Sequence, residues 1–213
     1  MLYIIQTALQ LGCVYSFVAL ALFLSYRILD IADLTTDGCF VLGMAVSVSC
    51  CASGHPFAGV ILGMIAGGCA GCVTAVLQTQ LGVPSILAGI VTNTGLYTIN
   101  LMAMGWSSNI SLLKNETIFS LFKKTNIGGA WNAILLAGMI ALCAMVLMKW
   151  FLSTRLGLSI RATGDNRDMV SASSINPRFT ILVGLVVANM FTGLSGALAG
   201  QLQKSADINA GSG

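Results

Sequence analysis

RLGLSIRATGDNRDMVSASSINPR, residues 155–178, decides how the rest of this chain is read. It is a long polar stretch between two apolar runs. Lys149, Arg155, Arg161, Arg167 and Arg178 put five of the ten basic residues into positions 149–178, and Asp165 and Asp168 add two of the seven acids. The stretch also has internal order. Leu156 and Ile160 stand four apart, and Met169, Val170 and Ser173 recur with helical spacing, so each half offers an apolar stripe. Gly164 reads as a helix stop between the halves, and Asp165 as the N-cap of the second, with Asp168 three residues on. Asn176-Pro177 then closes the second piece. Two short helices about a glycine elbow make a docking element rather than a plain solvated linker.

Composition sets the surroundings of that element. With 56% hydrophobic and 8% charged residues in 213, the chain falls far below the charge of soluble domains, about 25%. The reading is an all-α, polytopic helical membrane protein. A formal charge of +3, spread over loops, gives no basic patch for nucleic acid. The seven cysteines lie in or beside apolar runs, so no disulfide framework is read. Cys69 and Cys72 match C-x-x-C, but without a nearby histidine or acid they read as packing residues rather than a metal site. The first apolar run has no preceding Lys or Arg and extends to about Tyr26, too long for a signal peptide.

Six spans follow within a single domain, 1–213: approximately 2–26, 38–52, 57–77, 83–104, 131–150 and 179–202, with the two-helix loop at 153–178. The second is short for a crossing of about 30 Å. In the third, Gly59, Gly63, Gly67 and Gly71 recur at intervals of four and line one face, where another helix can approach closely. The fourth carries Asn93, Tyr97 and Asn100 on one face, and the sixth carries Asn189, Thr192 and Ser195. Two readings fit such stripes: hydrogen-bonding glue between helices, or a polar wall along a translocation path. Trp131 and Trp150 bracket the fifth span, nineteen residues apart, about 28 Å along a helix. The loops at 149–178 and 105–130 face opposite compartments. A six-to-four basic bias, counting Arg27 with the first and Lys204 with the second, puts 149–178 in the cytoplasm.

No ionisable residue is read deep in any span, which argues against a proton- or ion-coupled carrier. His55, the sole histidine, sits in a turn beside Pro56. No nucleophile–base pair suggests an enzyme, no cofactor is implied, and no P-loop motif is present. A transporter of this composition needs an external engine, and 155–178 is where one could attach.

The loop also carries a resemblance. Gly157, Arg161-Ala162, Gly164 and Asn166, followed by Ala172-Ser173-Ser174-Ile175-Asn176, resemble the cytoplasmic loop of ABC importer permeases of the branched-chain amino acid and ribose type. That family usually has glycine at the position of Ser174. The likeness extends more weakly through 11–43 and 82–96. It implies that Leu156, Gly157, Ile160, Arg161, Gly164, Asp165, Asn166, Met169 and Ile175 form a coupling element seated on an ABC ATPase subunit. It further implies a permease homodimer, an extracytoplasmic substrate-binding protein, and residence in the lipid bilayer of a bacterial inner membrane. The 203–209 stretch is similar to an amino acid subgroup, with aromatic amino acids among the substrates implied, and the path suits a neutral or zwitterionic solute. The family usually continues through two or more further spans, so this chain is expected to be incomplete at its C-terminus. The competing expectation is a passive channel or facilitator whose loop merely solvates; a membrane scaffold is the third.

Overall fold

Long apolar helices must bury their backbone polar groups in their own hydrogen bonds, and such helices organise this chain. The structure, a computed structural model, describes residues 2–113, 115–124 and 131–211. Helix α1 (Leu2–Leu22) runs on into a π-helical turn, Phe23–Ile28. Helices α2 (Thr36–Ala52), α3 (Pro56–Thr79) and α4 (Ser85–Ala103) follow. After a short strand β1 (Asn109–Ser111) and helix α5 (Ile118–Lys124) comes α6 (Asn132–Ser153). The loop forms α7 (Arg155–Asp165) and α8 (Arg167–Ala172), and α9 (Pro177–Gln203) leads to strand β2 (Ser205–Asp207). Among the described residues five stretches, 4–28, α3, α4, α6 and α9, are long and apolar enough to cross a membrane. Helix α2, with 17 residues, is shorter.

Helices α2 and α9 form the centre, with α3 packed across both. Their approach is set by glycine. A Cβ on Gly63 would stand 2.8 Å from the Gly43 carbonyl oxygen and one on Gly59 2.8 Å from that of Ser47. On Gly71 it would stand 2.9 Å from the Leu185 carbonyl oxygen, while Gly67 abuts Asn189 and Gly193. The i, i+4 glycine row of α3 thus meets the backbones of α2 and α9 in turn. Such contact is available only where side chains are absent, and it replaces the hydrophobic drive that lipid does not supply. Gly43 against Gly193 and Gly196 against Phe40 complete the seam.

The two ends of the bundle differ. At one end β1 pairs antiparallel with β2, Ile110 opposite Ala206, and Asn115 Nδ2 donates to the Ala52 carbonyl at 3.1 Å. Buried Gln201 ties the same end together. Its Nε2 donates to Ser47 Oγ and the Pro56 carbonyl, both at 2.9 Å, and its Oε1 accepts from Ile118 N at 3.0 Å. The 105–130 stretch, read from sequence only as a polar excursion, is over its described residues a cap on the helix ends. At the other end α7 and α8 lie against the end of α1 and the start of α9.

Two local expectations are corrected. Gly164 is not an elbow: α7 continues through it to Asp165, and its φ is not in the left-handed region. Its role is close approach, because a Cβ there would overlap the carbonyl oxygen of Ile28. Asp165 is not the N-cap of the second helix either. Asn166 is, with Oδ1 accepting from Asp168 N at 3.0 Å and Met169 N at 3.1 Å. Asn accepts as well as Asp at an N-cap, so sequence could not separate the two. The left-handed residue lies later, at Ser174, φ +60°.

Candidate functional site

Arg27, Asp30, Asp33 and Asp37 give the stretch between the first two helices the composition of a polar turn. Instead the chain leaves helical geometry at Asp30 (φ +54°) and runs inward. Leu29, Ile31, Asp33 and Thr35 are all buried. Asp33 Oδ1 accepts from Thr35 N at 2.9 Å and also from Thr35 Oγ1. Its other oxygen takes Asn189 Nδ2 at 2.7 Å from near the middle of α9. A non-helical segment is tolerated among apolar helices only when its polar groups are satisfied by protein or a wet cavity, and Asp33 supplies that satisfaction. Asp33 lies between the spans rather than deep in one, yet its carboxylate is buried against α9. Four acids and bases after a span look like a solvated turn, and only the tertiary contact with Asn189 reveals otherwise.

The break places the first turn of α2 beside the middle of α4. There a pocket of ≈ 320 Å³ is lined by Asp37, Gly38, Val41, Asn93, Thr94, Tyr97 and Asn100, with Ile208, Asn209 and Gly211 closing it. Asn93, Tyr97 and Asn100 are thus brought together. Asn100 is 2% exposed, and its Nδ2 donates to the Gly38 carbonyl at 3.2 Å. Tyr97 is exposed. The α9 stripe behaves differently. Ser195 Oγ donates to the Val14 carbonyl at 2.7 Å and Thr192 Oγ1 to that of Ala188 at 3.3 Å, while Asn189 holds Asp33. All three are buried in helix contacts and none lines that pocket. Asp33, buried among the helices, and Asp37, on the pocket wall, stand in no candidate site read from the sequence.

At the loop end, α7 starts on Thr154, whose Oγ1 accepts from Gly157 N at 3.3 Å. Its inner face is Gly157, which abuts Phe151 and Leu152; Ile160, fully buried; and Thr163, bonded to Thr180 Oγ1 at 2.8 Å. Gly164 adds the contact with Ile28. The outer face shows Leu156, Arg161, Asp165, Asn166 and Met169, all exposed, and Ile175 is half-buried. The residues grouped from sequence as one coupling set thus divide into a docked face and a free face. The loop thus has one face packed on the bundle and another that is exposed, apolar and charged together.

A bundle of apolar helices with a broken segment, a polar pocket between α2 and α4 and a docked two-helix loop at one end belongs to the class of membrane permeases. The family described as the permease component of branched-chain amino acid transport systems matches residues 4–213, and the chain belongs to it. Among relatives, a tyrosine transport system permease protein of Clostridioides difficile is 31% identical over 94% of this chain and 65% of its own length. An uncharacterised protein of Rickettsia prowazekii is 34% identical over 99% of this chain and 72% of its own. The D-allose transport system permease protein of Escherichia coli is 28% identical over 85% and 54%. The chain therefore spans only part of each of these relatives. No solved structure matches it.

Proposed function

We propose that this chain is the transmembrane permease of an ATP-driven importer in a bacterial inner membrane, paired with a second permease copy. Six crossings are read, counting the broken stretch 29–35 with α2 as the second. ATP is hydrolysed on a separate ATPase subunit that grips the outer face of α7 and α8, and an extracytoplasmic binding protein delivers the solute. That solute is small, neutral or zwitterionic, and of the amino acid class; tyrosine, named for one relative, is the first probe.

The observation that carries the reading is the two-faced loop. Gly164 and Ile28 join backbone to backbone, so movement of α7 is passed to the end of α1 and to the buried segment that begins there. That segment ends in α2, whose first turn walls the polar pocket. ATPase closure thus has a direct route to the pocket, as rigid-body transmission between packed elements requires. A passive channel has no need of an exposed Leu156, Arg161 and Met169 on a docked two-helix loop.

The test is pull-down of the ATPase with the purified permease. Leu156→Asp, Arg161→Glu and Met169→Asp leave insertion intact, because all three side chains are exposed. Each lowers ATPase capture and ATP-dependent uptake, by about tenfold if one packed contact or ion pair of an interface is lost. Solute flux into vesicles without ATP, unchanged in these variants, would retire the importer in favour of a channel.

A further inference from the structure

A second cavity, of ≈ 410 Å³, lies at the loop end of the bundle, between the turn that joins α3 to α4 and the turn that joins α8 to α9. Each turn reverses on a left-handed residue, Gly82 (φ +66°) in the first and Ser174 (φ +60°) in the second. Behind Ser174, Ile175 N closes on the Val170 carbonyl at 3.3 Å, the bond that ends a helix around such a residue. Asn176 Oδ1 then caps α9 by accepting from Arg178 N at 3.0 Å. The reversal folds the chain back, so Arg178, the second residue of α9, lines the same cavity as Arg167, the first of α8.

Among the residues lining it, Arg167 and Arg178 are the ionisable ones, and both are cations. Neither guanidinium is paired with an acid among the described residues. The starts of α4 (Pro84 and Ser85) and α9 (Pro177) line it as well, and the start of α4 has no side-chain cap. The partial positive charge of a helix start has the same sign as the two arginines. Guanidinium forks match phosphate oxygens two at a time. The depth of the cavity is also defined. Helix α3 ends at it and α4 and α9 begin at it, all three long enough to span, which is headgroup level. Leu81, Ile86 and Phe179, chain neighbours of its lining, are 68%, 54% and 52% exposed. Apolar surface for acyl chains therefore adjoins the cations. A free phosphate or an ATPase carboxylate uses the cations alone, whereas a phospholipid uses both.

We propose that this cavity binds the phosphate of an anionic phospholipid from the leaflet on the loop side, with Arg167 and Arg178 as its clamp. Basic pockets between membrane helices are suited to such headgroups. The lipid braces the two-helix loop against α4, since Arg167 belongs to α8 and Ser85 to α4. The proposal needs residence in a membrane and does not depend on the importer reading.

The experiment takes the full chain, purified and delipidated in nonionic detergent. It titrates dioleoyl-phosphatidylglycerol or dioleoyl-phosphatidylcholine and counts bound lipid by native mass spectrometry. Wild type binds phosphatidylglycerol about tenfold more tightly than phosphatidylcholine. Arg167→Gln and Arg178→Gln each lower phosphatidylglycerol affinity about tenfold, the range of one charge-assisted hydrogen bond. Arg178→Lys, which keeps the charge and loses the fork, loses less. Arg27→Gln, at an exposed arginine outside the lining, loses nothing. Arg167 and Arg178 are exposed, so the substitutions spare the fold, and phosphatidylcholine binding stays unchanged in them. Equal binding of the two lipids by wild type overturns the proposal whatever the variants do. So does phosphatidylglycerol binding that is unchanged in the Arg167→Gln, Arg178→Gln double variant, or lowered as much by Arg27→Gln. Inorganic phosphate that displaces the lipid at equal concentration assigns the cavity to a free anion and overturns the lipid. ATPase capture lost in the double variant with phosphatidylglycerol binding intact gives the arginines to the ATPase, and overturns it too.

Discussion

Gly164→Ala is a small change whose sign depends on tertiary contact. On an open helix surface, replacing glycine by alanine stabilises by up to about 1 kcal/mol. Gly138 in α6, with no atom within 4 Å of its would-be Cβ, is such a position. At Gly164 the same methyl overlaps the Ile28 carbonyl oxygen and lies 3.2 Å from Leu29 Cα. Both are backbone, so no rotamer change relieves the overlap. Helix α7 cannot slide away either, because Ile160 is fully buried and Thr163 is bonded to Thr180. Overpacking of this kind costs about 1–3 kcal/mol. Against the propensity gain, the expected net loss is about 1–2 kcal/mol, roughly a tenfold rise in the undocked population of α7. Hydrogen exchange of the amides at 158–166 measures that population directly, since local opening governs their exchange. Exchange there should quicken about tenfold in Gly164→Ala and stay unchanged in Gly138→Ala. If Gly164→Ala exchanges like wild type, the contact with Ile28 is not made and the proposed route from loop to pocket is lost.

Ser174→Gly should stabilise the purified protein by about 0.5–1 kcal/mol, because Ser174 sits at φ +60°, where an L side chain is strained; an unchanged or lower unfolding temperature contradicts that conformation. Asn189→Ala should cost about 1.5–3 kcal/mol, since it strips the 2.7 Å donor from a buried carboxylate. Combining it with Asp33→Asn should cost less than the sum of the single losses; strict additivity would mean that the two side chains do not interact.

What the sequence determined by itself was everything that depends on local chemistry. Low charge and long apolar runs fix helices and membrane, because a chain of this composition cannot satisfy its backbone in lipid otherwise. The glycines of α3 at intervals of four fix a close-packing face, since the period of the helix alone aligns them. The polar loop was legible as two short helices for the same reason. Tertiary structure decided which partner each residue meets. Gly164 reads as a turn in sequence and is a contact, because the Ile28 carbonyl that excludes its side chain comes from more than a hundred positions away. Asn189 and Ser195 read as a possible path and are bonds to Asp33 and Val14. Asp33 and Asp37 have the composition of a polar turn, yet the unwound segment carries one into the bundle and the other to a pocket wall. Whether an acid after a span faces water or protein is set by the helices that close over it, and no local pattern encodes their position.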